Sequence, residues 1–180
     1  MSQGVSIRPS NDGDVAAIAA IYRHHVLCGT ASFEEVPPET DEIARRRDDL
    51  LARGLPYLVA ERSGRVLGYC YAAPYHTRSG YRFTVEDTVY IDAAELGRGI
   101  GRALLANVVE ICAEQGYRQM VAVIAGGDHQ ASIGLHQALG FSRIGVLPTI
   151  GFKFGGWIDI VLMQRILGPG AGAPPVEMRR

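Results

Sequence analysis

The sequence predicts an α/β (α+β) chain built on a mixed, mostly antiparallel central sheet of about seven strands with helices on both faces. Three observations lead there. Strand and helix patterns follow the order strand, two helices, three strands, helix, strand, helix, two strands. The three middle strands, "YLVAE", "RVLGYCYAAPY" and "RFTVEDTVYID", are joined by short turn segments, which makes them antiparallel neighbours. A glycine-rich turn and a helix then separate the last of these from "RQMVAVIA", the spacing of a strand-helix-strand crossover.

Taken in order, "VSIRP" alternates apolar and polar residues and reads as a first strand. "NDGDVAAIAAIYRHHVL" follows with Asn11 or Asp12 as helix cap and with Val15, Ile18, Ala19 and Tyr22 at helical spacing. "CGTASFEEVPP" breaks the pattern, and Thr40, Asp41 and Glu42 start a second helix that reaches about Arg53. Its "DEIARRRDD" stretch mixes signs and reads as a solvated face with internal ion pairs. Beyond the three middle strands, a helix runs from near Gly99 to Gln115, and "RQMVAVIA" is a buried strand. "QASIGLHQAL" is a helix, and strands around "RIGVLPTIG" and "WIDIVLMQR" close the pattern, with Trp157 read as core. Residues 1–166 form one domain, and the Gly/Pro/Ala-rich 167–180 is a disordered tail.

A chain of 180 residues suits a single core. The formal net charge of −1 and the lack of any long basic run argue against nucleic acid as a partner. Cys28, Cys70 and Cys112 are odd in number, far apart and without metal-ligand spacing, so they read as reduced thiols of a soluble, cytoplasmic protein. "MSQGVSIRPS" lacks the features of a signal peptide, and no apolar run spans a bilayer, so no membrane is expected. His24 and His25 are consecutive on a helix and point to different sides; no metal is expected.

The stretch "ELGRGIGRALL" puts glycines at 97, 99 and 101 just before an amphipathic helix. Open main-chain N–H groups at the positive end of a helix dipole make an anion site, to which Arg98 and Arg102 add charge. On the residues alone, a tight turn with packing glycines is an equal alternative. A dinucleotide fingerprint is excluded because position 102 is Arg and several strands precede the turn, and GxxxxGK[ST] is absent. A coenzyme carrying a pyrophosphate remains.

"LGRGIG" at this junction resembles the coenzyme A motif Arg/Gln-x-x-Gly-x-Gly/Ala of the GNAT acetyltransferase superfamily, with Leu96 where a basic or amide residue is usual. Six blocks, "IRPSNDGD", "TASFEE", "YRFTVEDTVYI", "GRGIGRALL", "VAVIAGGDHQASIGLHQALGF" and "GFKFGGWIDIVLMQ", stand in the order found in phosphinothricin and methionine sulfoximine or methionine sulfone acetyltransferases. The resemblance covers about residues 5–166. It implies the GNAT fold, acetyl-CoA as co-substrate, a small amino-acid-like acceptor and a homodimer.

The same resemblance implies site residues. Glu86 is the general base for the α-amino group, since only a neutral amine attacks a thioester. Periodicity alone flags Asp87 instead, because it falls on the apolar row of Val85, Val89 and Ile91, and a bulge could reorient either carboxylate. His136 assists proton transfer to coenzyme A or from the amine. Main-chain groups at Thr88, Val89, Tyr90 and Ile91 pair with the pantetheine arm, and Leu96, Gly97, Arg98, Gly99, Ile100 and Gly101 cradle the pyrophosphate. His129 and Ser132 are further coenzyme contacts; Ser132 taken alone reads as a helix cap. The acceptor is met by Tyr75, His76, Thr77, Arg78, Tyr81, Arg82 and Val85, with one arginine on its carboxylate and Phe33 closing over its side chain. Lys153 receives no role. The alternatives are a protein or peptide N-acetyltransferase and a non-catalytic acetyl-CoA sensor.

Overall fold

The computed structural model describes residues 4–126 and 130–175. Its strands are β1 (Ser6–Pro9), β2 (Tyr57–Arg62), β3 (Arg65–Pro74), β4 (Thr84–Ile91), β5 (Gln119–Ala125), β6 (Ser142–Lys153) and β7 (Gly156–Ile166). Helices are α1 (Val15–Cys28), α2 (Thr40–Ala52), α3 (Ile100–Glu114) and α4 (Gln130–Ala138). One sheet of seven strands runs in the order β1-β2-β3-β4-β5-β7-β6. The β4/β5 pair is its only parallel one among the described residues.

Sequence and structure agree on the order of elements, with local differences. Asn11 caps a 3-10 turn at Asp12–Asp14 through a capping box with Asp14, and α1 starts only at Val15. β4 starts at Thr84 because Ser79–Tyr81 forms a 3-10 turn that takes Arg82 as its last residue. The face read as solvated on α2 hides Arg47, 4% exposed, whose guanidinium binds the Ser10 hydroxyl and carbonyl and reaches Asp12 and Asp48. Trp157 is not core. It is 67% exposed and meets Phe152 edge-on across the β6–β7 hairpin, at the start of a strand whose buried residues begin at Ile158.

Apolar side chains divide between the two sheet faces, as strand alternation requires. On one face α3 contributes Ile100, Leu104, Leu105, Val108, Val109 and Cys112 at helical spacing against Leu67, Cys70, Val85 and Met120. Leu104→Ala there costs about 2–5 kcal/mol. On the other face Ile18, Ile21 and Ile43 of α1 and α2 cover Tyr57, Val59 and Tyr69. Residues after 166 begin with structure: Leu167 is 1% exposed and bonded to the Arg118 carbonyl, and Gly170–Gly172 forms a 3-10 turn.

Candidate active site

β4 is central to the sheet and carries the candidate chemistry. It pairs with β3 from Val85 to Ile91 without a register shift, so no bulge reorients its carboxylates. Its parallel pairing with β5 covers only Thr84, Val85 and Glu86. Beyond Glu86 the two strands part, which leaves the β5-facing edge of Asp87–Ile91 without a strand. Alternation then sends Val85, Asp87, Val89 and Ile91 to the α3 face, and Glu86, Thr88 and Tyr90 to the α1/α2 face.

Glu86 is half-buried on that second face. Burial, reinforced by the charge of Asp87, pushes its carboxyl up from the ordinary 4.5 to about 6. Around it lies a tier of phenols. Tyr71, opposite Thr88 across the β3–β4 pair, stacks on Tyr57 with ring centres 4.8 Å apart. Tyr90 packs against Tyr22 at 5.2 Å and Tyr69 at 5.7 Å between ring centres.

Asp87 is the anomaly the periodicity flagged, and the structure gives it a partner. His136, 2% exposed on α4, places Nε2 3.0 Å from Asp87 Oδ2 and Nδ1 2.7 Å from the Ser132 carbonyl. A carbonyl only accepts, so Nδ1 carries a proton. Burial lowers the ring's hold on a second proton, but the Asp87 hydrogen bond and charge, with the Ser132 carbonyl, raise it further, and His136 ends above its ordinary value. Both ring nitrogens therefore have partners inside the protein, Nδ1 on the Ser132 carbonyl and Nε2 on the Asp87 carboxylate. Ser132 is the third residue of α4 and not its cap.

Between β4 and α3, Asp92 caps a 3-10 turn at Ala93–Glu95, and the glycine segment follows. Gly97 at φ 73° and Gly99 at φ 78° adopt the left-handed conformation that L side chains resist, which explains both glycines. Gly101 lies inside α3, where a methyl would make ordinary contact with Ile91, Leu135 and Val89. The first main-chain bond of the helix is Ala103 N–H to the Gly99 carbonyl. Among the described residues, the N–H groups of Gly97, Arg98, Gly99, Ile100, Gly101 and Arg102 have no acceptor. Such a row of open amides at a helix head is suited to an anion. Buried Glu95 steadies the turn from behind, paired with Arg62 at 2.6 Å and Arg98 at 3.2 Å. Leu96 is 58% exposed and leaves the cradle open. His25 Nε2, 2.8 Å away, donates to the Ile91 carbonyl, which takes that histidine into the β4 framework.

The expected acceptor residues divide. Tyr75, His76 and Tyr81 form one ring cluster with centres 4.5–5.7 Å apart. Arg82 lies over the Phe83 ring and bonds the Ser79 carbonyl. Arg78 and Thr77 are exposed, and the Arg78 guanidinium has no bonded partner among the described residues. Val85 is corrected: fully buried on the α3 face, its side chain cannot line the Glu86 face. Phe33, 38% exposed in the α1–α2 loop, lies against Gly151 of β6. That loop is bonded to β4, since Tyr90 donates its hydroxyl to the Ala31 carbonyl at 3.1 Å. Lys153, assigned nothing from the sequence, is buried and donates to two carbonyls of the same loop. His129 lies outside the described residues.

The β4–β5 pair thus opens beside a turn whose amides have no main-chain acceptor. Residues 9–141 match the family model of the acetyltransferase (GNAT) family, and the chain belongs to that family of acyltransferases. It is 53% identical to a phosphinothricin N-acetyltransferase of Alcaligenes faecalis over 165 residues, 92% of this chain and 84% of the relative. With an L-methionine sulfoximine/L-methionine sulfone acetyltransferase of Pseudomonas aeruginosa it shares 39% over 170 residues, 94% and 98% of the two chains. The crystal structure of a GNAT phosphinothricin acetyltransferase from Sinorhizobium meliloti in complex with AcCoA superposes with a TM-score of 0.93 at 45% identity, covering 96% of this chain and 94% of that one.

Proposed function

We propose that the protein transfers the acetyl group of acetyl-CoA to the α-amino group of a small amino-acid analogue of the phosphinothricin, methionine sulfoximine or methionine sulfone type. Glu86 carries this reading: a carboxylate with its proton affinity raised toward neutrality, at the point where β4 and β5 part. The donor assignment is supported by the open amides at Gly97–Arg102 and by the strandless edge of Val89, Tyr90 and Ile91, where a pantetheine arm fits as an added strand. The acceptor assignment is supported by the similarity to the Alcaligenes and Pseudomonas enzymes.

Glu86 takes a proton from the α-ammonium group, directly or through water, and the neutral amine attacks the thioester carbon. A bond from nitrogen to carbon forms and the carbon–sulfur bond breaks. A β4 main-chain N–H steadies the charge that gathers on the carbonyl oxygen; the sulfur leaves as a thiolate and takes up the proton that the attacking nitrogen sheds as it becomes an amide. His136 assists proton transfer from behind the strand, where its ring meets the Asp87 carboxylate at 3.0 Å. Arg78, free of partners among the described residues, takes the acceptor's carboxylate.

Two identical chains associate through β6. That edge strand leaves Ile144, Val146, Leu147, Ile150 and Phe152 exposed, beside Trp157 on β7. No helix among the described residues is long and apolar enough to cross a membrane. The free, buried thiols of Cys70 and Cys112 support a reducing, cytoplasmic setting.

Coenzyme A thiol release tests the reaction. Release above the blank is expected with phosphinothricin, methionine sulfoximine or methionine sulfone. Release with peptides alone would replace the acceptor assignment, and none with any amine would refute it.

A further inference from the structure

Lys153 is an ammonium group in an unusual setting. Its side chain is 2% exposed, and Nζ donates to the Gly29 carbonyl at 2.9 Å and the Ser32 carbonyl at 2.7 Å. The Phe154 ring centre lies 5.0 Å from the same atom. Phe154 itself sits at φ 51°, a left-handed conformation that an aromatic residue rarely adopts. No carboxylate lies at bonding distance among the described residues. A buried cation costs stability unless it is fully bonded, so this socket implies a task beyond packing.

The task is legible in what the socket joins. Gly29 and Ser32 belong to the α1–α2 loop, more than a hundred residues from Lys153 in sequence. The next loop residue, Phe33, packs on Gly151, two positions before Lys153 on the same strand. A methyl at Gly151 would fall 2.6 and 2.8 Å from Phe33 Cε1 and Cε2. Gly151 has no positive φ, so the Phe33 ring is what calls for glycine there. The loop's remaining bonds lead toward the reacting face. Tyr90, on the Glu86 side of β4, holds Ala31, and the Tyr22 hydroxyl meets Ser32 Oγ at 2.8 Å.

We propose that Lys153 is a positioning residue for the acceptor: by clamping the Gly29 and Ser32 carbonyls it seats Phe33 on Gly151 as a fixed wall over the Glu86 face. The β6–β7 hairpin thereby sets the size of acceptor side chain that fits. This inference rests on the acetyl-transfer reading above for its kinetic test, and on the loop alone for its physical one.

Lys153→Met is expected to raise the acceptor KM about tenfold, the scale of one side chain losing its fixed place, while acetyl-CoA affinity stays within about twofold. In a Phe33→Ala background the same substitution leaves the acceptor KM unchanged, because the wall it positions is gone. A purely structural lysine would lower thermal stability and leave the acceptor KM alone in both backgrounds; that result overturns the proposal. Should Lys153→Met fail to fold, Gly151→Ala replaces it: its methyl displaces the ring, raises the acceptor KM, and has no effect once Phe33 is alanine. An equal effect in both backgrounds refutes the clamp. Hydrogen exchange supplies a readout free of catalysis. The Glu34 amide, bonded to Ser32 Oγ at 3.2 Å, exchanges faster in Lys153→Met while β4 amides do not. Unchanged exchange sinks the clamp even if no acceptor is turned over.

Discussion

Replacing Glu86 with glutamine removes one charge and keeps the shape, and its consequences follow from the energy of that site. Burial and the Asp87 charge lift the Glu86 carboxyl from 4.5 to about 6, a gain of about 30-fold in proton affinity, equivalent to ~2 kcal/mol. The group keeps contact with solvent, so about 1 kcal/mol of this is the share expected in stability. The sign follows from linkage: a raised carboxyl binds its proton more tightly in the native state, so stability falls as pH rises from 4.5 to about 6. Above that window the wild type bears the whole cost, and the glutamine variant none. Glu86→Gln should therefore melt about 2–4 °C higher than wild type at pH 8 and equally at pH 4. Its turnover should fall about 10²–10⁴-fold, and the rise of kcat/KM through about pH 6 should vanish while acetyl-CoA still binds. Melting curves and pH-rate profiles with coenzyme A thiol release read both effects. A variant that melts lower at pH 8, or keeps the rising limb, would refute the desolvated-base assignment.

Asp87→Asn leaves His136 buried without its carboxylate and should cost about 3–5 kcal/mol in denaturant unfolding. The His136 ring resonance should then titrate at a lower pH than in wild type; an unchanged midpoint would contradict the pairing. Gly99→Ala forces a side chain into the left-handed conformation at the head of α3, and calorimetry should find acetyl-CoA binding weakened about tenfold for ~1–2 kcal/mol of strain. Ile144→Asp puts a charge on the apolar β6 edge and should shift light scattering from dimer to monomer without loss of fold.

The order of strands and helices was legible because hydrophobic period and turn residues act locally, and the glycine cradle because positive φ leaves few residues to choose from. Glu86 and Asp87 show how far periodicity reaches. Alternation assigned Asp87 to the apolar face, where it lies, yet could not supply His136, which stands 49 residues away and meets it only when α4 packs on the sheet. Arg47 and Lys153 escaped for the same reason: a charge reads as solvated until distant carbonyls and hydroxyls close around it. Trp157 misled in the opposite sense, since a large aromatic reads as core and here faces outward beside the edge strand. Lys153 and Phe33 did carry one faint signal, in that a glycine inside a strand often marks a close approach, as Gly151 does to the Phe33 ring.

A crystal structure with coenzyme A and methionine sulfoximine bound together would test the chemistry most directly. The diphosphate should lie on the amides of Gly97–Arg102, and the acceptor's α-nitrogen within about 2.6–3.2 Å of the Glu86 carboxylate, or one water from it. An α-nitrogen turned away from Glu86, or a diphosphate held elsewhere, would contradict the mechanism.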